Sequence, residues 1–284
     1  MKNSTLTYFS INCIVVLFMV IVSSSNLFAG AWTKDKGKSY HRIAVNHYYA
    51  DKMFDDNGDS RSMSSNGEFR DFNLNYYMEY GILDQLTAFT SLYYKDLRQE
   101  DNRFIYETRG FGDFDLGMRY RLYSDNSNVF SVQGLVKVPE LYDHDDALPL
   151  GNGQYDYEIR VLYGHSLWPP LPGYINFETG YRWRAEEPAD EFRYLIEVGS
   201  DLGKQFYTRA KLDGLVNAGN GSHKVDNYGN PTATFEYDLT KLDLTAGYRL
   251  TRTLGLEIGC TFPLWGESTA KGNTWTLALS FQPE

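Results

Sequence analysis

Residues 71–80 read DFNLNYYMEY. Every second position (Phe72, Leu74, Tyr76, Met78, Tyr80) is apolar or aromatic, and those between are Asp71, Asn73, Asn75, Tyr77 and Glu79. Side chains on a strand point alternately to opposite faces. This segment therefore has one greasy face and one acid–amide face. The greasy face meets either the core of a soluble sheet or the hydrocarbon of a membrane.

The pattern recurs along the chain. Leu86, Ala88, Thr90, Leu92 and Tyr94 form a second stripe, Phe114, Leu116, Met118, Tyr120 and Leu122 a third, and Ile175, Phe177, Thr179, Tyr181 and Trp183 a fourth. Leu242–Leu250 and Trp275–Phe281 repeat it. Each stripe fits the span of about 9–11 residues that a tilted barrel strand needs to cross a bilayer. Twelve strands are expected, at roughly 39–50, 69–81, 85–97, 111–123, 128–139, 153–166, 173–184, 191–200, 205–217, 234–250, 254–264 and 270–281. The connections alternate: long and polar at 51–68, 96–109, 140–153 and 218–233, and short at GILD, SDNS and TRT. An even strand number with long loops at one end and short turns at the other is the pattern of an outer-membrane barrel. Aromatics gather by the short turns (Tyr80, Tyr123, Trp168, Tyr248) and by the long loops (Tyr94, Tyr155, Trp183, Phe192, Tyr237), as two membrane interfaces would require. The fold class expected is all-β: a single antiparallel up-and-down transmembrane barrel, whose closure removes the open edge that hydrocarbon cannot satisfy.

The start of the chain reads differently. Lys2, the apolar run INCIVVLFMVIV at 11–22 and the small residues Ala29 and Ala31 follow the order of a secretory signal peptide. Residues 1–31 are expected to be that signal and 32–284 the barrel. Cys13 leaves with the leader, so Cys260 has no partner for an intrachain disulfide. With Lys2 gone, 26 basic residues face 37 acidic ones, a net charge of −11. That balance argues against a nucleic-acid partner. A mean hydropathy of −0.45 and the lack of any later long apolar run exclude a spanning helix in 32–284, but not a barrel, whose strands are apolar on one face only.

Two stretches, EYGILDQLT at 79–87 and GFGDFDLGMRYRL at 110–122, resemble motifs of the outer-membrane proteins grouped as the MetA-pathway of phenol degradation family. GYRWR at 180–184, followed by ADEFR at 189–193, is similar to its XagA-like members. The resemblance covers most of 32–284. It implies an outer-membrane location and a transport-like role for a small solute, aromatic or otherwise hydrophobic, and it carries no catalytic residues. One feature departs from barrels of this kind, which usually end on an aromatic residue read by the insertion machinery: here Phe281 is followed by QPE. Gly110 and Gly112 read as a bend or bulge at the start of a strand, since no helix follows to make a dinucleotide site.

If the stripes face lipid, the alternate positions line a lumen. Its basic residues are then Arg42, Lys95, Arg119, Arg121, Lys137, Arg160, Arg182, Arg184, Arg193, Arg209, Lys211, Lys241 and Arg249. Its acidic residues are Asp71, Glu79, Asp113, Asp115, Asp156, Glu158, Glu178, Glu197, Asp213, Asp243 and Glu257. The near balance favours a salt-bridged wall, because buried charges persist when paired. The functional alternative is a ladder of charges guiding a polar or anionic solute, with Arg182, Arg184 and Arg193 as a constriction. A twelve-stranded barrel is narrow, so its lumen is either open or filled.

DNGD at 56–59 and YDHDD at 142–146 are acidic clusters that read better as solvated loops than as cation sites, and His144 is expected to be exposed. No cofactor or metal is implied. His165 and Ser166 point to opposite strand faces, and Ser222 and His223 share a loop without a scaffold, so neither pair makes a hydrolase site. The sequence thus points to an outer-membrane channel passing small solutes, not an enzyme. Its expected partners are outer-membrane lipid, the solute and the insertion machinery. The rivals are a structural or adhesion-type barrel with a filled lumen acting through acidic loops, a barrel lipid hydrolase, and a soluble periplasmic β-protein.

Overall fold

Alternating strands bury their polar faces together only if the sheet curls until its edges meet. The computed structural model, which describes residues 30–143, 146–186, 188–221 and 236–283, is such a closed antiparallel sheet. Its strands are β1 (Ser39–Phe54), β2 (Ser60–Ser62), β3 (Glu68–Leu83), β4 (Leu86–Glu100), β5 (Ile105–Phe111), β6 (Phe114–Ser124) and β7 (Asn128–Val138). They continue with β8 (Asp156–Ser166), β9 (Gly173–Arg184), β10 (Glu191–Leu202), β11 (Phe206–Asn217), β12 (Asp238–Arg249), β13 (Leu254–Glu267) and β14 (Thr269–Phe281). The strands run in order β14-β13-β12-β11-β10-β9-β8-β7-β6-β4-β3-β1, and β14 closes on β1 in a register from His41↔Phe281 to Phe54↔Thr269. β2 is a spur on the end of β1, and β5 continues the stave of β6 along β4, so the wall has twelve staves.

The opening stripe faces outward. Phe72 and Leu74 are 51% and 45% exposed, whereas Asn73, Asn75 and Glu79 are buried against the lumen. Trp275, Leu277 and Leu279 on β14, and Leu116 and Met118 on β6, extend the outer apolar band around the barrel. Tyr80, Tyr123 and Trp168 are exposed at the short-turn end, and Tyr94, Tyr155, Trp183 and Phe192 at the other. Tyr237 departs from the second girdle. It lies beside Glu191, Arg184 and Arg193, the inward charges at the long-loop end.

Inward glycines are covered by rings on the next stave. Phe89 sits opposite Gly117, Tyr174 opposite Gly199, Tyr194 opposite Gly214 and Tyr207 opposite Gly247. A Cβ on Gly247 would fall 2.0 Å from the Tyr207 ring. The missing side chain lets the ring lie flat on the wall and cover the exposed backbone, the device known as aromatic rescue.

Three connections differ from the sequence expectation. Residues 96–109 are mostly a hairpin: Arg98 pairs with Glu107, and Arg109 with Asp96, across β4 and β5. Opposite charges placed cross-strand support pairing beyond the membrane band. In the first connection β1 runs on to Phe54 and pairs with β2. In the connection from Pro139 to Tyr155, Tyr142, Leu148 and Leu150 fold into the barrel mouth, and β8 starts at Asp156. Of the strand expected at 234–250, β12 takes up 238–249, and residues 222–235 lie outside the described residues.

Candidate functional site in the lumen

Among the described residues, two pieces of chain enter the barrel. At the short-turn end the chain has an exposed turn at 35–38, and residues 30–34 run inside the wall. The Lys36 amide donates to Asp84 Oδ1 (2.9 Å), the Lys34 amide to Thr87 Oγ1 (2.7 Å), and Lys34 Nζ lies 3.7 Å from Glu79. The segment is held because its backbone polar groups, cut off from water, need partners, and inward side chains supply them. Arg119 Nη1 donates to the Trp32 carbonyl (3.0 Å) and to Glu79 Oε1 (3.1 Å).

From the long-loop end, the β7–β8 connection turns in. Leu148 and Leu150 are buried on Leu97 of β4, with Phe69, Tyr106 and Tyr142 around them. Lys95 Nζ donates to the Leu150 carbonyl (2.8 Å), and Tyr142 donates to Asp113 Oδ1 (2.6 Å) while accepting from the Gly153 amide (2.6 Å). Gly112 permits this approach, since a Cβ there would come within 2.7 Å of the Leu150 carbonyl oxygen. The bend expected at Gly110 and Gly112 is thus where the stave breaks between β5 and β6. Burial, and then the bond to the Asp113 carboxylate, push the Tyr142 phenol above its usual range.

Between these two pieces lies a chamber of about 530 Å³. Its wall has two characters. The β13–β14–β1–β3–β4 sector presents Thr261, Thr274, Thr276, Asn46, Asn75 and Ser91. Thr276 Oγ1 donates to Asn46 Oδ1, Asn46 Nδ2 to Asn73 Oδ1 and Asn73 Nδ2 to Asp71 (2.8, 2.8 and 2.9 Å). The opposite sector is ionic. Arg160 bonds Glu158 and, at 3.0 Å, Glu178, while Arg209 reaches across at 3.5 Å to Glu257 of β13, which also takes Arg42 of β1 at 2.8 Å, so the neutral sector carries one ion pair of its own.

The residues singled out in the sequence divide into two groups. Arg119, Arg160, Arg209, Lys211, Asp115 and Glu178 line the chamber. Arg182, Arg184, Arg193, Glu158 and Asp113 belong to a network nearer the long-loop end. There Arg182 meets Glu158 (2.7 Å) and Asp156 (3.6 Å), Arg184 and Arg193 share Glu191 (3.2 and 3.0 Å), and Lys137 lies between Asp113 and Asp156 (3.7 and 3.3 Å). Arg121 stands apart at the short-turn end, one inward position beyond Arg119 and opposite Ser131. Asp115 Oδ1 is buried with no hydrogen-bond partner among the described residues.

Sequence reasoning missed Glu191, because the expected strand began there and the face parity was read only from Arg193 onward. It also missed Trp32 and Lys34, which carry no periodic signal. At the loops, Asp125 accepts from the amides of Ser127 and Asn128 (2.8 and 2.7 Å), and those amides hold its carboxyl well below the usual carboxylate range. DNGD forms the turn after β1, where Asp55 Oδ1 accepts from the amides of Asn57 and Asp59 (3.0 and 2.9 Å). His144, Ser222 and His223 lie outside the described residues. His165 faces out to bond Asn128 (2.9 Å), away from the inward Ser166.

No protein-family model matches the chain, and no curated protein matches it. Among solved structures it is similar to the COG4313 outer membrane channel from Pseudomonas putida F1, at 16% identity and a TM-score of 0.72, over 89% of this chain and 98% of that one. It is also similar to the NanC porin (9%, TM-score 0.53, 84% and 98% covered) and the KdgM porin (4%, TM-score 0.51, 86% and 99% covered). The fold is that of outer-membrane channels and porins.

Proposed function

We propose that this barrel is an outer-membrane channel for small polar solutes, closed at rest by its own chain. The observation that carries this reading is the chamber wall. An amide–hydroxyl sector faces an Arg–Glu sector, so a solute with hydroxyl and charged groups finds partners on both sides. Asp115 Oδ1 adds an acceptor that no side chain uses. An aromatic or hydrophobic solute, which the family resemblance implies, would desolvate this wall without replacing its hydrogen bonds. The barrel reaches the membrane through the insertion machinery, with Phe281 as the outward aromatic at the end of β14.

The test uses protein refolded in detergent, run boiled and unboiled on a denaturing gel and reconstituted in planar bilayers. A heat-dependent mobility shift is expected, with discrete conductance steps that are sparse in the parent and frequent in Trp32→Gly, which frees the entering segment. Liposome swelling should be faster with a small sugar acid than with a neutral aromatic of equal size. The second reading, a filled-lumen barrel acting through its acidic loops, draws on the two segments inside the barrel. A mobility shift without conductance in either protein would establish it. Arg182, Arg184 and Arg193 serve the wall in our reading. Their joint replacement by Ala should destabilise the barrel, and a cation shift in selectivity on an intact barrel would instead make them a constriction.

A further inference from the structure

We propose that signal peptidase cleaves the chain between Ala29 and Gly30, and that the freed end, Gly30–Ala31–Trp32, is the ligand of a socket in the barrel wall. Water adds across the Ala29–Gly30 amide, leaving a carboxylate on Ala29 and an ammonium on Gly30. Ala29 supplies the small residue before the cut, with Leu27 rather than a second small residue two positions earlier, so the case for this bond rests on the fit of Gly30–Trp32 to the wall.

The socket matches three consecutive residues. Gly30 has φ +78, and a Cβ there would fall 2.2 Å from Asn176 Nδ2, so the position excludes every other side chain. Ala31 is fully buried. Its amide donates to Asn176 Oδ1 (3.0 Å) and its carbonyl accepts from Ser131 Oγ (2.5 Å). Its methyl packs on Val129 and Leu162, apolar residues that face inward from β7 and β8. The Trp32 indole lies on Gly164, where a Cβ would stand 2.4 Å from the ring, and meets Tyr174 edge-on at 5.6 Å. Three staves thus give up side-chain volume, polarity or a donor to fit this peptide.

Cleavage after Ala31 would discard two of the three fitted residues. Val129 and Leu162 would then face a void, and Ser131 and Asn176 would lose their bonds to the peptide. A retained leader fails for another reason. Gly30 lines the central chamber, so 29 further residues with a long apolar run would have to thread a polar cavity. The segment can seat only after the cut, which makes closure of the lumen a consequence of maturation. Glu178 lines the same chamber and takes bonds from Asn176 Nδ2 (2.8 Å) and Arg160 Nη1 (3.0 Å).

The full-length chain is expressed in a Gram-negative host, extracted from outer membranes, and its intact mass and first residues are determined. A start at Gly30 is expected, and a start at Trp32 or elsewhere overturns the cleavage site. The socket is tested on the same sample by acylating free amines before and after boiling and quantifying the α-amine of the peptide Gly30–Lys34. At least tenfold protection in the folded barrel is expected. Equal labelling in both states overturns the socket. Gly164→Leu, which fills the indole's space, should abolish the protection while the gel shift persists. Trp32→Gly leaves the wall untouched and should do the same if Gly164→Leu fails to fold. Protection retained in Trp32→Gly also overturns the socket. None of these readouts depends on conductance, so they stand or fall apart from the channel reading.

Discussion

Replacing Glu79 by Ala removes the carboxylate that joins the entering segment to the wall. Glu79 accepts from Arg119 Nη1 (3.1 Å) and Tyr77 OH (2.7 Å) and lies 3.7 Å from Lys34 Nζ. Its side chain and that of Arg119 are 5% and 6% exposed. An exposed ion pair is worth about 0–1 kcal/mol, whereas removing one member of a buried pair costs about 3–5 kcal/mol because a charge is left uncompensated. Here two cations, Arg119 and Lys34, would be left facing each other, which points to the upper half of that range. The exposed pair Arg98–Glu107 on the β4–β5 hairpin, at 38% and 48% exposure, is the internal control. Glu107→Ala should cost about 1 kcal/mol or less. Equilibrium urea unfolding in detergent micelles measures both. Glu79→Ala combined with Arg119→Met should recover most of the loss, since neither charge of that pair remains. If Glu79→Ala costs no more than Glu107→Ala, the lumen at Glu79 is as wet as the outer surface and the entering segment does not seal it.

Leu74→Arg puts a charge at mid-strand on the outer face and should cost about 2–4 kcal/mol and impair insertion. Asp71→Asn, on the lumen side of the same strand, should cost less, and equal costs would contradict the assignment of faces. Gly247→Val drives a side chain into the Tyr207 ring and should cost about 1–3 kcal/mol as overpacking. Adding Tyr207→Ala should relieve part of that cost, and a double variant no better than the single would refute the ring-on-glycine account. The Asp125 carboxyl is depressed in the folded state from an unfolded value of about 3.9. Its contribution is therefore complete above that value and is lost as pH falls through the folded one. The unfolding midpoints of Asp125→Asn and the parent should differ near neutrality and converge in acid. A gap that stays constant with pH would refute the cap.

The wall was legible because period-two alternation is a local property: DFNLNYYMEY assigns its own faces without reference to any other strand. The strand count and the alternation of long and short connections followed from the same signal. Three features were not legible, each for a physical reason. The charge pairs within β4 and β5 looked like loop because a polar hairpin outside the membrane has no apolar stripe. Leu148 and Leu150 pack on Leu97 across a separation that no periodicity reports. The glycines at 117, 199, 214 and 247 are explained by rings on neighbouring staves, so their meaning depends on register. The candidate lumen residues were found by parity, but parity could not say which of them meet. In the sequence Arg182, Arg184 and Arg193 read as candidates for a constriction, and only the register shows Asp156, Glu158 and the overlooked Glu191 standing between them.

The two sectors of the chamber differ in how they respond to a passing solute. In the ionic sector each guanidinium already holds a carboxylate, and displacing one leaves a buried charge unmatched, so that wall resists exchange. In the neutral sector Thr276, Asn46 and Asn73 form a chain of single hydrogen bonds between groups that can both donate and accept. A solute hydroxyl can replace any link there at little net cost, because one hydrogen bond is exchanged for another. Under the channel reading the path therefore follows β14, β1 and β3, and the ionic sector serves as the rigid side. β1 is also the strand into which residues 30–38 lead, so the segment that closes the lumen enters beside the face along which the solute would travel. Withdrawing it would free Thr87 of β4, Arg119 of β6, Ser131 of β7 and Asn176 of β9, leaving the ion pairs of β8, β9 and β10 intact.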